Sequence, residues 1–157
     1  MTDPDPTARE LAEQAYRAYA QYESTGNSDA LNTAIELYRQ AVAATPAGSP
    51  ARPGLWNNLA IALRTRFETT GDAADLDEAI ELYRQAIAAT PAGNLNQPGY
   101  QSSLASAFLS RFEQTGDVAD LDEAITLPRQ AAAATLADSP ARAGRWGLAT
   151  GTPRMNR

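Results

Sequence analysis

The stretch GDAADLDEAIELYRQAIAATP, Gly71–Pro91, occurs three times in this chain and decides its architecture. Gly26–Pro46 reads GNSDALNTAIELYRQAVAATP and agrees with it at 14 of 21 positions; Gly116–Leu136 reads GDVADLDEAITLPRQAAAATL and agrees at 16 of 21. Gly26, Gly71 and Gly116 are each 45 residues apart, and a fixed period in this range marks stacked supersecondary units. Within the stretch, Leu76, Ala79, Ile80, Tyr83, Ala86 and Ile87 follow the spacing i, i+3, i+4, i+7, i+10, i+11, the buried stripe of one helix.

A second helical pattern precedes each copy. From Thr7 to Glu23 the apolar side is Leu11, Ala15, Ala18, Tyr19 and Tyr22; from 54 to 69 it is Leu55, Trp56, Leu59, Ala60, Leu63 and Phe67. In the third copy it is Tyr100, Leu104, Ala105, Ala107, Phe108 and Phe112. Trp56, Tyr22, Phe67 and Phe112 are expected in the core. Each glycine that follows ends its helix in the left-handed C-terminal role. Asp72 or Asp75 caps the next helix, and Asp75 with Glu78 has the spacing of a capping box. The fold expected is all-α: a helical-hairpin repeat solenoid of three 45-residue repeats, with units 7–46, 54–91 and 99–136 after a lead-in at 1–6.

The third copy departs from the pattern. Pro128 stands where the others have Tyr38 and Tyr83, inside the helix, at a cost of roughly 3 kcal/mol from the backbone. A kinked or frayed last helix is expected. SPARAGRW (139–146) echoes SPARPGLW (49–56), so Trp146 opens a fourth unit, but residues 137–157 then lose all helical period and read as a truncated, disordered tail.

Composition removes most catalytic classes. The 157 residues contain no Cys, no His and no Lys; all thirteen basic residues are Arg. Thiolate and imidazole ligands, the commonest general base and the cysteine nucleophile are therefore missing. No enzymatic role and no cofactor are expected. Residues 1–141 hold nine Arg against nineteen acids, a net charge of −10, whereas 142–157 carry four Arg and no acid. An acidic body repels phosphate backbones, so nucleic acid is not an expected partner. Neither a signal peptide nor a membrane span is visible, which gives a cytoplasmic location by default.

The core positions of the second unit, Trp56, Leu59, Ala60 and Leu63, then Ala79, Tyr83, Ala86 and Pro91, resemble the tetratricopeptide signature, with Ala for its Gly and Leu for its Tyr. The wording NNLAIALRTRFETTGDAADLDEAIELYRQAIAATP is similar to the long repeats that precede CHAT peptidase domains in large bacterial proteins. The likeness covers roughly residues 7–136, and the CHAT domain itself, which depends on a Cys–His pair, is absent. It implies a right-handed superhelix and a protein-interaction scaffold whose first helices line a concave groove.

The groove so implied carries Ala12, Tyr16, Tyr19 and Glu23, then Asn57, Ile61, Arg64 and Glu68, then Ser102, Ser106, Leu109 and Glu113, each set at i, i+4, i+7, i+11. Tyr16, Tyr19, Asn57, Ile61, Arg64, Ser102, Ser106 and Leu109 are the candidate binding residues, and an apolar or basic protein segment is the expected ligand. Ile61→Glu is expected to impair binding while changing stability by less than about 0.5 kcal/mol. The recurring Arg39, Arg84 and Arg129, and Arg66 and Arg111, are read as a solvated face, with Glu36–Arg39 and Glu81–Arg84 as i,i+3 pairs. The acidic run Asp72, Asp75, Asp77, Glu78, Glu81 lacks the spacing of a calcium loop and is read as complementing a helix N-terminus. The alternative function is a self-associating or structural fragment of a larger regulator, a homodimer joined through the uncovered C-terminal end.

Overall fold

The computed structural model describes residues 6–137, and these form six helices with no strand among them: α1 Pro6–Thr25, α2 Ser28–Ala44, α3 Arg52–Thr70, α4 Ala73–Ala89, α5 Gln97–Thr115 and α6 Val118–Ala137. The all-α expectation holds. The fourth-unit reading of 138–157 and most of the lead-in lie outside the described residues.

The local reason for each helix boundary repeats with the sequence. Gly71 follows α3 with φ +72°, a conformation that a side chain resists, and its N–H closes on the Phe67 carbonyl at 2.7 Å. Gly26 and Gly116 do the same at φ +69° and +73°. The very next residue caps the following helix: Asn27 Oδ1 accepts from the Asp29 N–H, Asp72 Oδ1 from Ala74 and Asp117 Oδ1 from Ala119, at 2.9, 3.0 and 3.0 Å. At the far end of α2 and α4, buried Thr45 and Thr90 turn their hydroxyls back to the carbonyls of Ala41 and Ala86. Pro46 and Pro91 then prevent continuation.

Packing runs in chain order. Each helix lies chiefly against the one before and the one after it, and α3 also touches α5. A single apolar cluster threads all of these contacts, with Leu31, Ile35 and Tyr38 from α2, Leu59, Leu63 and Phe67 from α3, Leu76, Ile80 and Tyr83 from α4, and Leu104 and Phe108 from α5. Each large member contributes about 1.5–3 kcal/mol of burial before ordering entropy is set against it.

Four expectations need correction. First, α3 starts at Arg52, not 54, because Pro53 sits in its first turn, where a missing N–H costs nothing. Second, Asp75 belongs to no capping box. Asp72 takes the cap, and Asp75 is buried against Arg66. Third, α6 is not frayed at Pro128; the helix runs on to Ala137. Fourth, Trp56 and Phe112 are only half-buried and stand outside the central cluster. Trp56 instead stacks with Arg52, whose guanidinium carbon is 5.5 Å from the ring centroid. Tyr22 is partly buried against the cluster and Phe67 is buried, as expected.

Of the recurring arginines, Arg84 and Arg129 are exposed as expected, but Arg39, Arg66 and Arg111 are not a plain solvated face. Arg66 forks both oxygens of Asp75, Nε to Oδ2 and Nη2 to Oδ1 at 2.7 Å each, and its Nη1 reaches Asn32 Oδ1 at 3.2 Å in the preceding unit. One period later Arg111 repeats this, with Asp120 at 2.9 and 2.8 Å and Asp77 at 3.2 Å. Such bidentate pairs fix direction as well as distance. Arg39 likewise leaves Glu36 and forks Glu78 of the next unit, with Nη2 to Oε2 at 2.9 Å. Only Glu81–Arg84 forms the local pair, at 4.0 Å. The charged pairs therefore hold neighbouring helices in register.

Candidate functional site

Tyr16 and Tyr19 lie one turn apart on α1, and the stretch of α3 beside them presents Asn58 and Ile61. Between the two helices is a cleft of about 170 Å³ lined by Tyr16, Tyr19, Tyr38, Asn58 and Ile61. Tyr16 is 68% exposed at its rim. Tyr19 is half-buried, and its hydroxyl shares a 3.1 Å hydrogen bond with the Thr65 hydroxyl, which ties α1 to α3 across the cleft wall. Tyr38 comes from α2 and forms the floor at 3% exposed. Burial, with smaller contributions from Tyr16 and Tyr19, pushes its phenol up to about 12. At neutral pH the floor of the cleft therefore presents a neutral hydroxyl.

A neighbouring depression of about 280 Å³ continues the same α1–α3 boundary towards the start of both helices, past Ala8, Arg9, Ala12, Leu55 and Asn58. Asn58 lines both hollows. The boundary thus carries a track with Arg9 and Tyr16 at its margins and Tyr38 at its floor.

Of the eight candidate residues, the structure brings together Tyr16, Tyr19 and Ile61. Asn57 and Arg64 are half-buried beside them but line neither hollow; Asn57 Oδ1 has no hydrogen-bond partner among the described residues. Arg64 Nε faces Glu68 at 3.8 Å, an ion pair too long to be a hydrogen bond. Ser102 and Ser106 are exposed on α5, with the Ser106 hydroxyl donating to the Ser102 carbonyl, and Leu109 is 42% exposed. These three line none of the described hollows. Ile61 also packs against the central cluster, so Ile61→Glu would disturb folding more than the surface change it was expected to be.

Tyr38 and Asn58 were missed. Tyr38 was placed on the buried stripe, where it does lie, but its edge also reaches the cleft; Asn58 sits one position beyond the i, i+4 stripe. Helical spacing on a single helix could not reveal either, because the cleft is made by three helices.

A larger hollow of about 330 Å³ also went unpredicted. It lies between the two inter-unit turns, where Trp56, Tyr100 and Arg52 face Asn94 and Asn96. The recurrence of Pro-Ala-Gly at the start of both turns, 46–48 and 91–93, was its only signal. Among the described residues no cluster of His, Cys, Asp or Glu could hold a metal ion, and no helix is long and apolar enough to cross a membrane. No protein-family model matches the chain, and no curated protein matches it either.

Proposed function

We propose that the chain is a non-catalytic protein-interaction scaffold, a tetratricopeptide-like solenoid of three 45-residue repeats, that captures an extended or helical protein segment along the α1–α3 boundary. The observation that carries this reading is the cleft joining Tyr16, Tyr19, Tyr38 and Ile61. Tyrosines provide large, rigid contact area with a polar tip, a pattern favoured at recognition surfaces. The helices that form the cleft are anchored by the apolar cluster and by the Tyr19–Thr65 bond, so little ordering entropy opposes binding. A ligand with an apolar anchor and a basic flank suits it best. The apolar anchor would fill the cleft, while the exposed Glu23 and Glu68, one at the end of α1 and one on α3, attract the cation. A cytoplasmic setting and the absence of nucleic-acid binding belong to the same proposal.

The test is a displayed peptide library panned against the full chain, with selected binders titrated into isotope-labelled protein. Chemical-shift changes should centre on Tyr16, Tyr19, Tyr38 and Ile61. Tyr16→Ala should weaken binding at least about fivefold, a cost of about 1 kcal/mol that fewer than a third of interface residues exceed, while leaving stability within about 0.5 kcal/mol. Binders insensitive to Tyr16→Ala that perturb the Trp56–Tyr100 hollow instead would refute the location.

A further inference from the structure

One register position shows what α6 lacks. Ile35 in α2 and Ile80 in α4 are each 2% exposed, whereas Ile125, their counterpart in α6, is 45% exposed. The difference has a simple cause: α3 lies over α2 and α5 over α4, but no described helix lies over α6. The uncovered stripe is Val118, Leu121, Ile125, Pro128 and Ala132, spaced 3, 4, 3, 4, which is the seam of a two-helix coiled coil. Its first member is an apolar addition. The same position is Ser28 in α2 and Ala73 in α4, both exposed, and becomes Val118, 62% exposed, in α6.

The α1 of another copy is a poor lid. Helices that cover a preceding unit do so with Leu55, Leu59 and Ala62 in α3 and Tyr100, Leu104 and Ala107 in α5, all buried. The stripe ends at Arg66 and Arg111, whose bonds to Asn32 and Asp77 show that it faces backwards. In α1 the same register holds Glu10, Gln14, Arg17 and Gln21, all exposed. Head-to-tail stacking would bury these polar groups against Ile125 and Leu121, at a cost. The sequence after α6 has Arg145, Ala149, Thr152 and Asn156 at those positions, with Pro153 among them, and offers little apolar surface.

A second α6 fits better. In an antiparallel coiled coil the residues that flank the seam on one side meet their own kind from the partner helix. In α6 these are Asp122 and Arg129, seven residues apart, opposite in charge, both exposed, and neither in an ion pair among the described residues. A two-fold axis beside Ile125 sets each Asp122 against the partner's Arg129. Antiparallel helix dipoles add to the attraction, and the closed symmetry limits the assembly to two. We infer that two copies of this chain pair through α6, antiparallel, with Val118, Leu121, Ile125, Pro128 and Ala132 as the seam and two reciprocal Asp122–Arg129 contacts at its edge. This stands independently of any ligand in the α1–α3 cleft.

Sedimentation of the full chain over a wide concentration range tests it. Wild type should form dimers and nothing larger. Ile125→Glu should be monomeric with unchanged helicity, as should Asp122→Arg and Arg129→Asp taken singly, each weakening association at least about tenfold by setting like charges together. An equimolar mixture of Asp122→Arg with Arg129→Asp should regain the dimer, because both cross-contacts then join opposite charges. A wild-type monomer at every concentration would hand the face to the chain's C-terminal segment or to a foreign protein, and overturns the inference. A dimer broken by Ile125→Glu but indifferent to the charge variants overturns the antiparallel geometry, as does a mixture that stays monomeric.

Discussion

Replacing Asp75 by Ala removes the carboxylate that Arg66 grips with two 2.7 Å bonds. Exposed ion pairs contribute about 0–1 kcal/mol, and breaking a wholly buried one from one side costs about 3–5 kcal/mol. Asp75 is 8% exposed and Arg66 28% exposed at the side chain, so this pair lies between those limits. The variant also loses a first-turn acid of α4, a favourable partner of the helix dipole by about 0.3–1 kcal/mol. A loss of about 2–3 kcal/mol is expected, read as a lowered urea midpoint at constant slope by circular dichroism. For a chain of this length each kcal/mol corresponds to about 2–4 °C in Tm. Arg66→Ala should cost at least as much, since it strands a buried carboxylate, and the double variant should show a coupling of about 2 kcal/mol. The first unit supplies a control, because its matching positions are Gln21 and buried Ala30. Ala30→Asp alone should destabilise by about 1–3 kcal/mol, the cost of an unsatisfied buried polar group, and adding Gln21→Arg should recover much of that. Asp75→Ala within about 0.5 kcal/mol of wild type, or a coupling below that value, would refute the view that these pairs hold the helices in register.

Three other outcomes are expected. Tyr83 is fully buried, and its hydroxyl has no partner among the described residues, so Tyr83→Phe should be at least as stable as wild type; a loss beyond about 1 kcal/mol in urea would reveal a hydrogen bond that the hydroxyl keeps. Burial raises the phenols of Tyr38 and Tyr83 to about 12; their stabilising contribution is whole below pH ~10 and is lost as pH climbs through 12, by an order of 2–3 kcal/mol each. Alkaline unfolding and their tyrosinate absorbance should therefore appear together, and ionisation of both before any loss of helicity would contradict this. Gly71→Ala meets no atom within 4 Å but must hold φ +72°, so it should cost about 1 kcal/mol through the backbone alone; an unchanged urea midpoint would count against the left-handed turn.

Helix number, most boundaries and the buried stripes were legible in one sequence because each depends on neighbours a few residues away. Gly71, Asp72 and the run from Leu76 to Ile87 act within single turns, and three copies of the pattern guard against accident. The 45-residue period could also have exposed the arginine pairs, since Arg66 and Asp75 recur together as Arg111 and Asp120. They were misread because two residues nine apart share no helical face; the turn at Gly71 brings them into contact. Trp56 shows the opposite error, a large aromatic at a stripe position that nevertheless stacks on Arg52 at a turn.

The α1–α3 cleft was half-legible: Tyr16, Tyr19 and Ile61 follow from spacing, but Tyr38 and Asn58 do not, because a hollow between three helices depends on how they cross. The amino-acid order by itself determined what is periodic: the six helices of the described residues, the glycines that end three of them, and the apolar stripes of α2 and α4. Tertiary packing decided what is relational: which charges pair across a turn, which tyrosines share a cleft, and that Ile125 is left uncovered where Ile35 and Ile80 are buried. Hydrogen bonds along a helix are local and repeat every turn, whereas burial is a property of whatever happens to lie on the other side.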